Sequence, residues 1–478
     1  MDKASMDSRE FNFRANASLA LKNKQLRSNL AFATNALAQR RKVIFSDPAA
    51  FEQLRDQAEA IRRNAISKLP ELLEQLEKKC AGNGIQVHWA ETIDDANRII
   101  LDITRSHKAT RVVKGKSMVS EEMHLNAFLE HHGVESLETD LGEFIVQLAG
   151  ETPSHILVPA IHKNRKQIGD LFHQKIPDTP YTEVLEELNA IARKTLRRRF
   201  FGGEIGLSGV NMAVAETGTL VLIENEGNGR MCTTVPPVHI AVMGIEKVLE
   251  KLAHVAPILS LLPGSAAGQL ITTYVNMISS PRKPGEKDGP KEVHLVLLNN
   301  GRTKILADPE LRRILQCIRC GTCLNHCPVY IRIGGHAYGY VYPGPIGKIL
   351  TPQMEGLERT RGIPEASTLC RACEEVCPVK IPIPDLIRRL RNESYDEKGS
   401  VKGHGYKKNF VESFVWKGWA LANRYPMMNE LGIRAAGMLG SGISAAGPMK
   451  AWMSVRTQPR FAKKSLHELV KHEGVENE

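Results

Sequence analysis

The sequence contains no run of about eighteen uncharged apolar residues, the length that a helix needs to cross a bilayer. Its first thirty residues are charged and polar, whereas a secretory signal peptide requires an apolar central segment. These two absences argue against a membrane-spanning or secreted protein. We therefore expect a cytoplasmic protein.

The motifs of common nucleotide and haem sites are also missing. No G-x-G-x-x-G follows a predicted strand, and the sequence has neither a G-x-x-x-x-G-K-[ST] loop nor a C-x-x-C-H motif. If the chain takes part in oxidising an organic substrate, another cofactor or subunit has to accept the hydride. The sequence thus predicts partners.

The chain has 478 residues with a formal charge of +11, and 42% of them are hydrophobic. Its Lys and Arg residues are spread along predicted helices, and no nucleic-acid fold signature accompanies them. We expect solvated faces or a protein partner, and no nucleic acid.

Apolar patterning divides the chain into four parts. Residues 1–47 form a polar arm with helical tendency, and 48–303 alternate strands with helices, which predicts a parallel α/β sheet. The predicted strands include HILVPA at 155–160, and SEEMHLNAFLEHHG at 120–133 predicts one helix. Residues 304–395 predict a small all-α domain around cysteines, followed by a helical tail at 396–478.

Seven of the nine cysteines lie within two similar motifs, and cytosolic clusters of this kind usually hold metal. The first motif has the C-x2-C-x2-C-x3-C-P spacing of bacterial [4Fe-4S] ligand runs, in which the fourth cysteine binds the other cluster. Zinc sites instead use two separated C-x2-C pairs. Crossed ligands would give cluster 1 the set Cys317, Cys320, Cys323 and Cys377.

The second motif carries Ser367 where the first has a cysteine, so cluster 2 receives only Cys327, Cys370 and Cys373. A three-thiolate site can hold [3Fe-4S], or [4Fe-4S] with water, a carboxylate, a partner's ligand or Ser367 on the fourth iron. Alternatively, Ser367 only caps its loop. The expected cofactors are therefore two [4Fe-4S] clusters, or one [4Fe-4S] and one [3Fe-4S].

Four stretches together resemble the iron-sulfur subunit of the L-lactate utilisation system, the LutB/LldF family. They are AETGTLVLIENEGNGRMCTTVPPVHIAVMGIEK, LQCIRCGTCLNHCPVY, YPGPIGKILTP and ASTLCRACEEVCPVKIPIPDLI. The resemblance covers nearly the whole chain and includes the serine. It implies a LUD domain of the NagB/RpiA/CoA-transferase group, followed by a ferredoxin-like two-cluster domain and a family-specific tail.

The resemblance also implies an electron carrier, rather than a stand-alone enzyme, in a complex that oxidises L-lactate to pyruvate. Its implied partners are a cysteine-rich-domain subunit and a smaller LUD-domain subunit, besides an electron acceptor. The alternatives are a subunit for glycolate or another 2-hydroxy acid, a heterodisulfide-reductase-like subunit, and a CoA-transferase-like enzyme with structural clusters.

Loops after predicted strands offer a candidate anion or carboxylate site in the α/β domain, because open α/β sheets bind ligands at the carboxyl ends of their strands. The alternative is that these are ordinary exposed turn residues. The candidates are Lys114, Lys116, Ser117, Glu143, Glu216, Thr217, Glu224 and Arg230.

The tail holds Trp416, Trp419 and Trp452 among apolar and basic residues, which is typical of a surface that docks a partner. Two alternatives are peripheral contact with a membrane surface and plain packing of the tryptophans on the cysteine domain.

The crossed ligand sets predict that single cysteine substitutions act separately. Cys370→Ala should damage only cluster 2, and Cys317→Ala only cluster 1, because each removes a thiolate from one set. EPR spectra of the dithionite-reduced proteins measure this. Equal loss of both signals from either substitution would contradict separable sites.

Overall fold

A computed structural model describes residues 12–395, 410–439 and 470. The chain divides into two units, residues 1–401 and 402–478, which are described separately below.

Four helices open the first unit. Each of the first three begins after a side chain that accepts a hydrogen bond from its first turn: Asn12, Asn23 and Asp47, the last followed by a proline. These caps fix where the polar arm ends and the α/β part begins. The helices are α1 (Phe13–Lys22), α2 (Lys24–Ile44), α3 (Pro48–Ser67) and α4 (Leu69–Gly82).

A six-stranded, fully parallel sheet forms the centre of the α/β part, with the strand order β1-β10-β7-β4-β2-β3. A second sheet of four strands has the order β8-β5-β6-β9. A turn at 216–219 joins two antiparallel strands of this second sheet, and Gly218 adopts a φ of +70° there. The parallel α/β architecture predicted from the sequence is thus confirmed.

The elements of this part follow in chain order: β1 (Gln86–Ala90), α5 (Ile93–Ser106), β2 (Arg111–Lys114), α6 (Met118–Glu122), α7 (Leu125–His131), β3 (Glu135–Glu138), α8 (Leu141–Ala149), α9 (Arg165–Lys175), α10 (Leu185–Phe200), β4 (Ile205–Gly209), β5 (Met212–Val214), β6 (Thr219–Glu224), α11 (Asn228–Thr234), β7 (Val238–Gly244), β8 (Val248–Leu249), α12 (Val255–Ala267), β9 (Tyr274–Ile278) and β10 (Glu292–Leu298).

Two local predictions are wrong. Residues 155–160 form turns instead of a strand, because the buried ring of His155 accepts hydrogen bonds from the backbone N–H groups of Leu157 and Val158 and folds the segment back. The single helix predicted over 120–133 is divided between α6 and α7, since His124 adopts a left-handed φ of +50°.

Residues 302–395 contain helices and loops, and no strand is assigned within this range. The α-helices are α13 (Arg302–Ala307), α14 (Thr322–Asn325), α15 (Tyr330–Ile333), α16 (Gly344–Glu355), α17 (Leu357–Thr360), α18 (Gly362–Glu365), α19 (Ala372–Glu375) and α20 (Ile383–Tyr395). Short 3-10 turns cover Leu311–Gln316 and His336–Tyr338.

A buried charge network joins this helical region to the sheet. Glu246, which follows β7, binds Arg302 Nε at 2.6 Å and Arg319 of the first cysteine loop at 3.1 Å. Burial alone would raise the pKa of Glu246, but the two guanidinium groups outweigh it and hold the pKa at about 2. Arg62 of α3 adds hydrogen bonds to the carbonyl groups of Glu246 and Leu315.

The second unit contributes α21 (Phe410–Arg424) and α22 (Pro426–Leu439). Trp416 and Trp419 of α21 stack edge to face with ring centroids 5.8 Å apart, and both are exposed. Trp452 lies outside the described residues. Within the described ranges, no helix is both long and apolar enough to cross a membrane.

Candidate iron-sulfur site

The first cysteine loop has a backbone shaped by two residues with positive φ, Arg319 at +59° and Gly321 at +72°. The bend at Arg319 turns its N–H group onto Cys317 Sγ at 3.3 Å. Cys320 and Cys323 are buried within the loop, and Cys317 is half-buried. The loop therefore presents three thiols on its inner side, with a backbone donor aimed at the first.

The second cysteine loop repeats this conformation at the corresponding positions. Leu369 has a φ of +55° and Arg371 one of +64°. The Leu369 N–H donates to Ser367 Oγ at 3.2 Å, as the Arg319 N–H does to Cys317 Sγ. The Ser367 hydroxyl therefore occupies the place of the first thiol, in a loop that keeps its shape without that cysteine.

Thiols of the two loops affect one another's pKa values, and Cys323 interacts with both Cys373 and Cys377. Burial raises the pKa of Cys377 to about 11, and negative charge on Cys317 contributes to the shift. Burial likewise raises the pKa of Cys373 to about 12, with contributions from Cys327 and Cys370. The fourth cysteine of each loop thus lies beside the thiols of the other loop. This arrangement is consistent with crossed ligand sets, and the assignment itself stays a prediction.

The donor geometry fits iron-sulfur clusters better than a single zinc ion. Thiolates on one Zn²⁺, at about 2.3 Å each, lie within about 4.6 Å of one another. Among the described residues, which include all nine cysteines, no three Cys, His, Asp or Glu ligand atoms within 4.8 Å of one another include a thiol. Backbone N–H groups also aim at the sulfurs of Cys327 and Cys377, from Tyr330 at 3.5 Å and Ile381 at 3.4 Å.

The two predicted ligand sets differ in how deeply their cysteines are buried. In the first set, only Cys317 is even partly exposed, and Arg55 covers the loop end by donating to the Cys377 carbonyl at 2.9 Å. In the second set, Cys370 is exposed and Cys373 half-buried. Cys370 is therefore the most exposed of the seven thiols.

A buried lysine beside the second set was not found by sequence reasoning. Lys348 of α16 places Nζ 3.6 Å from Cys327 Sγ and 5.7 Å from the centre of the Tyr338 ring. It is 0% exposed, and its helical neighbours Ile346 and Ile349 are also buried. A lysine inside an otherwise apolar turn was the signal that could have revealed it, since buried lysines need a partner.

The candidate residues after β2 are engaged by other protein groups. Lys114 is buried and bonds Glu138 at 2.6 Å and Glu121 at 3.0 Å. Lys116 donates to the Leu157 carbonyl at 2.6 Å and lies 4.0 Å from Glu143, which is buried. Ser117 caps α6.

The remaining candidates lie at opposite ends of β6. Glu224 lies at the end of β6 and accepts hydrogen bonds from the backbone N–H groups of Gly229 and Arg230. Glu224 and Lys116 both affect the pKa of Glu226, so both lie near that carboxyl group. Glu216 and Thr217 precede its start, and Glu216 accepts from the Leu252 N–H at 2.8 Å. The structure thus separates Glu216 and Thr217 from the other candidates, and an anion site at the strand ends stays a prediction.

Two cysteine loops of one conformation, beside an α/β domain, define a ferredoxin-type iron-sulfur protein with an attached α/β domain. The sequence matches the LUD domain over residues 73–298, the 4Fe-4S dicluster domain over 313–381 and the C-terminal domain of lactate utilisation protein B over 389–475.

Curated relatives match along nearly the full chain. Lactate utilization protein B of Bacillus subtilis is 38% identical over 457 residues, covering 94% of this chain and 93% of its own length. Electron transport protein YkgF of Escherichia coli is 40% identical over 91% of both chains. This chain therefore belongs to the lactate utilisation protein B family. A solved DUF162 family protein from Deinococcus radiodurans covers 48% of this chain and 98% of its own, at 14% identity and a TM-score of 0.28, too low to support an argument.

Lys348→Met should lower the reduction potential of cluster 2. Removing a positive charge beside Cys327 disfavours the more negative reduced state, by roughly 60 mV for a tenfold effect on a one-electron couple. EPR-monitored redox titration measures this, and the potential of cluster 1 in the same sample should shift less, because Lys348 interacts more weakly with Cys323 than with Cys327. An unchanged cluster 2 potential in a fully loaded protein would show that Lys348 is only structural.

Proposed function

We propose that this chain is the iron-sulfur electron-transfer subunit of a cytoplasmic, multi-subunit system that oxidises L-lactate to pyruvate. The observation that carries the proposal is the pair of cysteine loops with one conformation and seven thiols. The choice of lactate as the substrate is supported by relatives named lactate utilization protein B, which are 38–39% identical over more than nine-tenths of both chains.

The chemistry requires partners. Oxidation of lactate to pyruvate releases two electrons and two protons, and iron-sulfur clusters, when bound, take up and release electrons singly. The sequence offers no nucleotide motif that would accept a hydride. We propose that a cysteine-rich-domain subunit and a smaller LUD-domain subunit complete the reaction with an external electron acceptor.

The residues of this chain define the two ends of an electron route. Arg41 and Arg55 close the loop around Cys377 from the α2 and α3 side by donating to the carbonyl groups of Val376 and Cys377. The opposite end opens at Cys370, which is exposed with its neighbour Arg371. We propose that the partner exchanging electrons with this chain approaches at Cys370.

We also propose that the Ser367 hydroxyl completes a second [4Fe-4S] site. Its support is the orientation of Oγ, which accepts from Leu369 N–H as Cys317 Sγ accepts from Arg319 N–H. A serine oxygen is a harder ligand than thiolate, so this corner should hold its iron less tightly than the others.

Ser367→Cys and Ser367→Ala test this assignment. Wild type and Ser367→Cys should each hold about eight irons per chain, whereas Ser367→Ala should lose about one and show an oxidised [3Fe-4S] EPR signal. Iron and sulfide analysis with EPR on anaerobic protein measures the outcome. About seven irons and that signal already in the wild type would exclude Ser367 as a ligand.

L-lactate should reduce the clusters only when the partner subunits are present. Anaerobic complex mixed with L-lactate should lose visible cluster absorbance and gain reduced EPR signals, and this chain alone should not respond although dithionite reduces it. D-lactate and glycolate serve as matched substrate controls. Faster reduction by glycolate would reassign the substrate, and no response of a dithionite-reducible complex to any of them would contradict the proposal.

A further inference from the structure

Three potential metal ligands converge on the α/β domain at the edge of the sheet where β10 begins. Glu292 and His294 are two residues apart on β10, so their side chains leave the same face, and His107 follows the last residue of α5. His107 Nε2 lies 3.2 Å, and His294 Nε2 3.6 Å, from Glu292 Oε2. The three ligand atoms lie within 4.8 Å of one another.

One of these atoms is buried without a hydrogen-bond partner. His294 is 4% exposed, and Glu292 Oε2, at 3.6 Å from its Nε2, lies just beyond hydrogen-bond distance. A buried polar nitrogen left in this way costs free energy unless something binds it. The atom faces Glu292 and His107, so a bound cation would satisfy it.

The second nitrogen of His294 has the contact expected behind a metal ligand. Its Nδ1 lies 3.1 Å from His88 Nε2 on the neighbouring strand β1. A proton on His294 Nδ1 that is donated to His88 leaves the lone pair of Nε2 free for a metal, which is the arrangement that usually orients a ligating histidine.

The site is open on one side. His107 and Glu292 line a cavity of about 640 Å³, together with Gly202, Gly203 and Pro237. Three protein ligands with a fourth position facing a cavity is the pattern of accessible metal sites, whereas structural zinc sites use four protein ligands.

A second group of three such donors among the described residues serves as a contrast. Glu151, His162 and His336 also lie within 4.8 Å of one another. However, Glu151 already binds the Lys163 ammonium at 2.6 Å, and His336 Nε2 lies 2.6 Å from the Thr152 carbonyl. The charge of Glu151 and the Nε2 atom of His336 are thus already engaged by other groups of the protein.

From these contacts we propose that His107, Glu292 and His294 bind one divalent transition-metal ion of the Zn²⁺ type, with His88 orienting His294 and water completing the coordination. Two imidazoles and one carboxylate suit Zn²⁺, and the site contains no thiol. It lies where β10 begins, whereas the chain enters the cysteine loops after β10 ends, so it is a second metal centre separate from the clusters.

The test uses the full-length, cluster-loaded protein under anaerobic conditions. Equilibrium dialysis against Zn²⁺ should give one zinc per chain at this site, and zinc-edge X-ray absorption should show only nitrogen and oxygen ligands near 2.0–2.1 Å, without sulfur near 2.3 Å. Glu292→Gln and His294→Ala should each weaken zinc binding at least about tenfold, and His88→Phe about 10–100-fold. His162→Ala, in the contrasting group, should leave it unchanged.

Iron content and the EPR signals of the clusters report on folding in every variant. No zinc retained by the wild type, a sulfur ligand shell, or equal zinc binding by wild type and Glu292→Gln would overturn the proposal. Glu292 is partly exposed, so its conservative substitution keeps the test decisive even where His294→Ala does not fold.

Discussion

The carboxylate of Glu246 is the contact on which the arrangement of the two parts depends. It is fully buried at the end of β7, yet it faces Arg302 from the chain leading into the cysteine region and Arg319 from inside the first cysteine loop. A buried charge is tolerated only with such partners, and removing one partner of a buried pair typically costs about 3–5 kcal/mol. The first cysteine loop, the sheet and the helices therefore fix one another's positions, because displacing one of them would leave Glu246, Arg302 or Arg319 without its buried partner.

The same network anchors the first cysteine loop to the sheet, whereas the second loop is supported by Arg391, which donates to the Glu365 and Ser367 carbonyl groups. Arg319 is held by Glu246 and lies over the Tyr342 ring, whereas Arg371, at a nearby position of the second loop, pairs with Glu374 and Asp385 at the surface. Exposed ion pairs contribute little, since water competes for both partners. Two loops with one backbone shape thus differ in the contacts of their arginines and in access to solvent.

Local sequence patterns predicted the helices, strands and motifs that are determined by neighbouring residues. The alternation of strands and helices from β1 onward and the spacing of the seven cysteines depend on residues close in sequence. The strand predicted for residues 155–160 was wrong because the apolar residues of this segment and His155 pack against the cysteine region. There, His155 Nε2 lies 3.1 Å from Asn325 Oδ1. Lys348, and the approach of His107 to β10, depend on contacts between distant segments, which no local periodicity records.

The exposure of Cys370 also determines where oxidation of the thiols would begin. Dissolved oxygen or peroxide reaches Cys370 before the buried thiols, in the loop that carries Ser367 in place of a cysteine. Thiolates that are accessible are the ones that oxidise. The first set, behind Arg41 and Arg55, would outlast it. Oxidative damage would therefore begin at Cys370 and reach the buried thiols last.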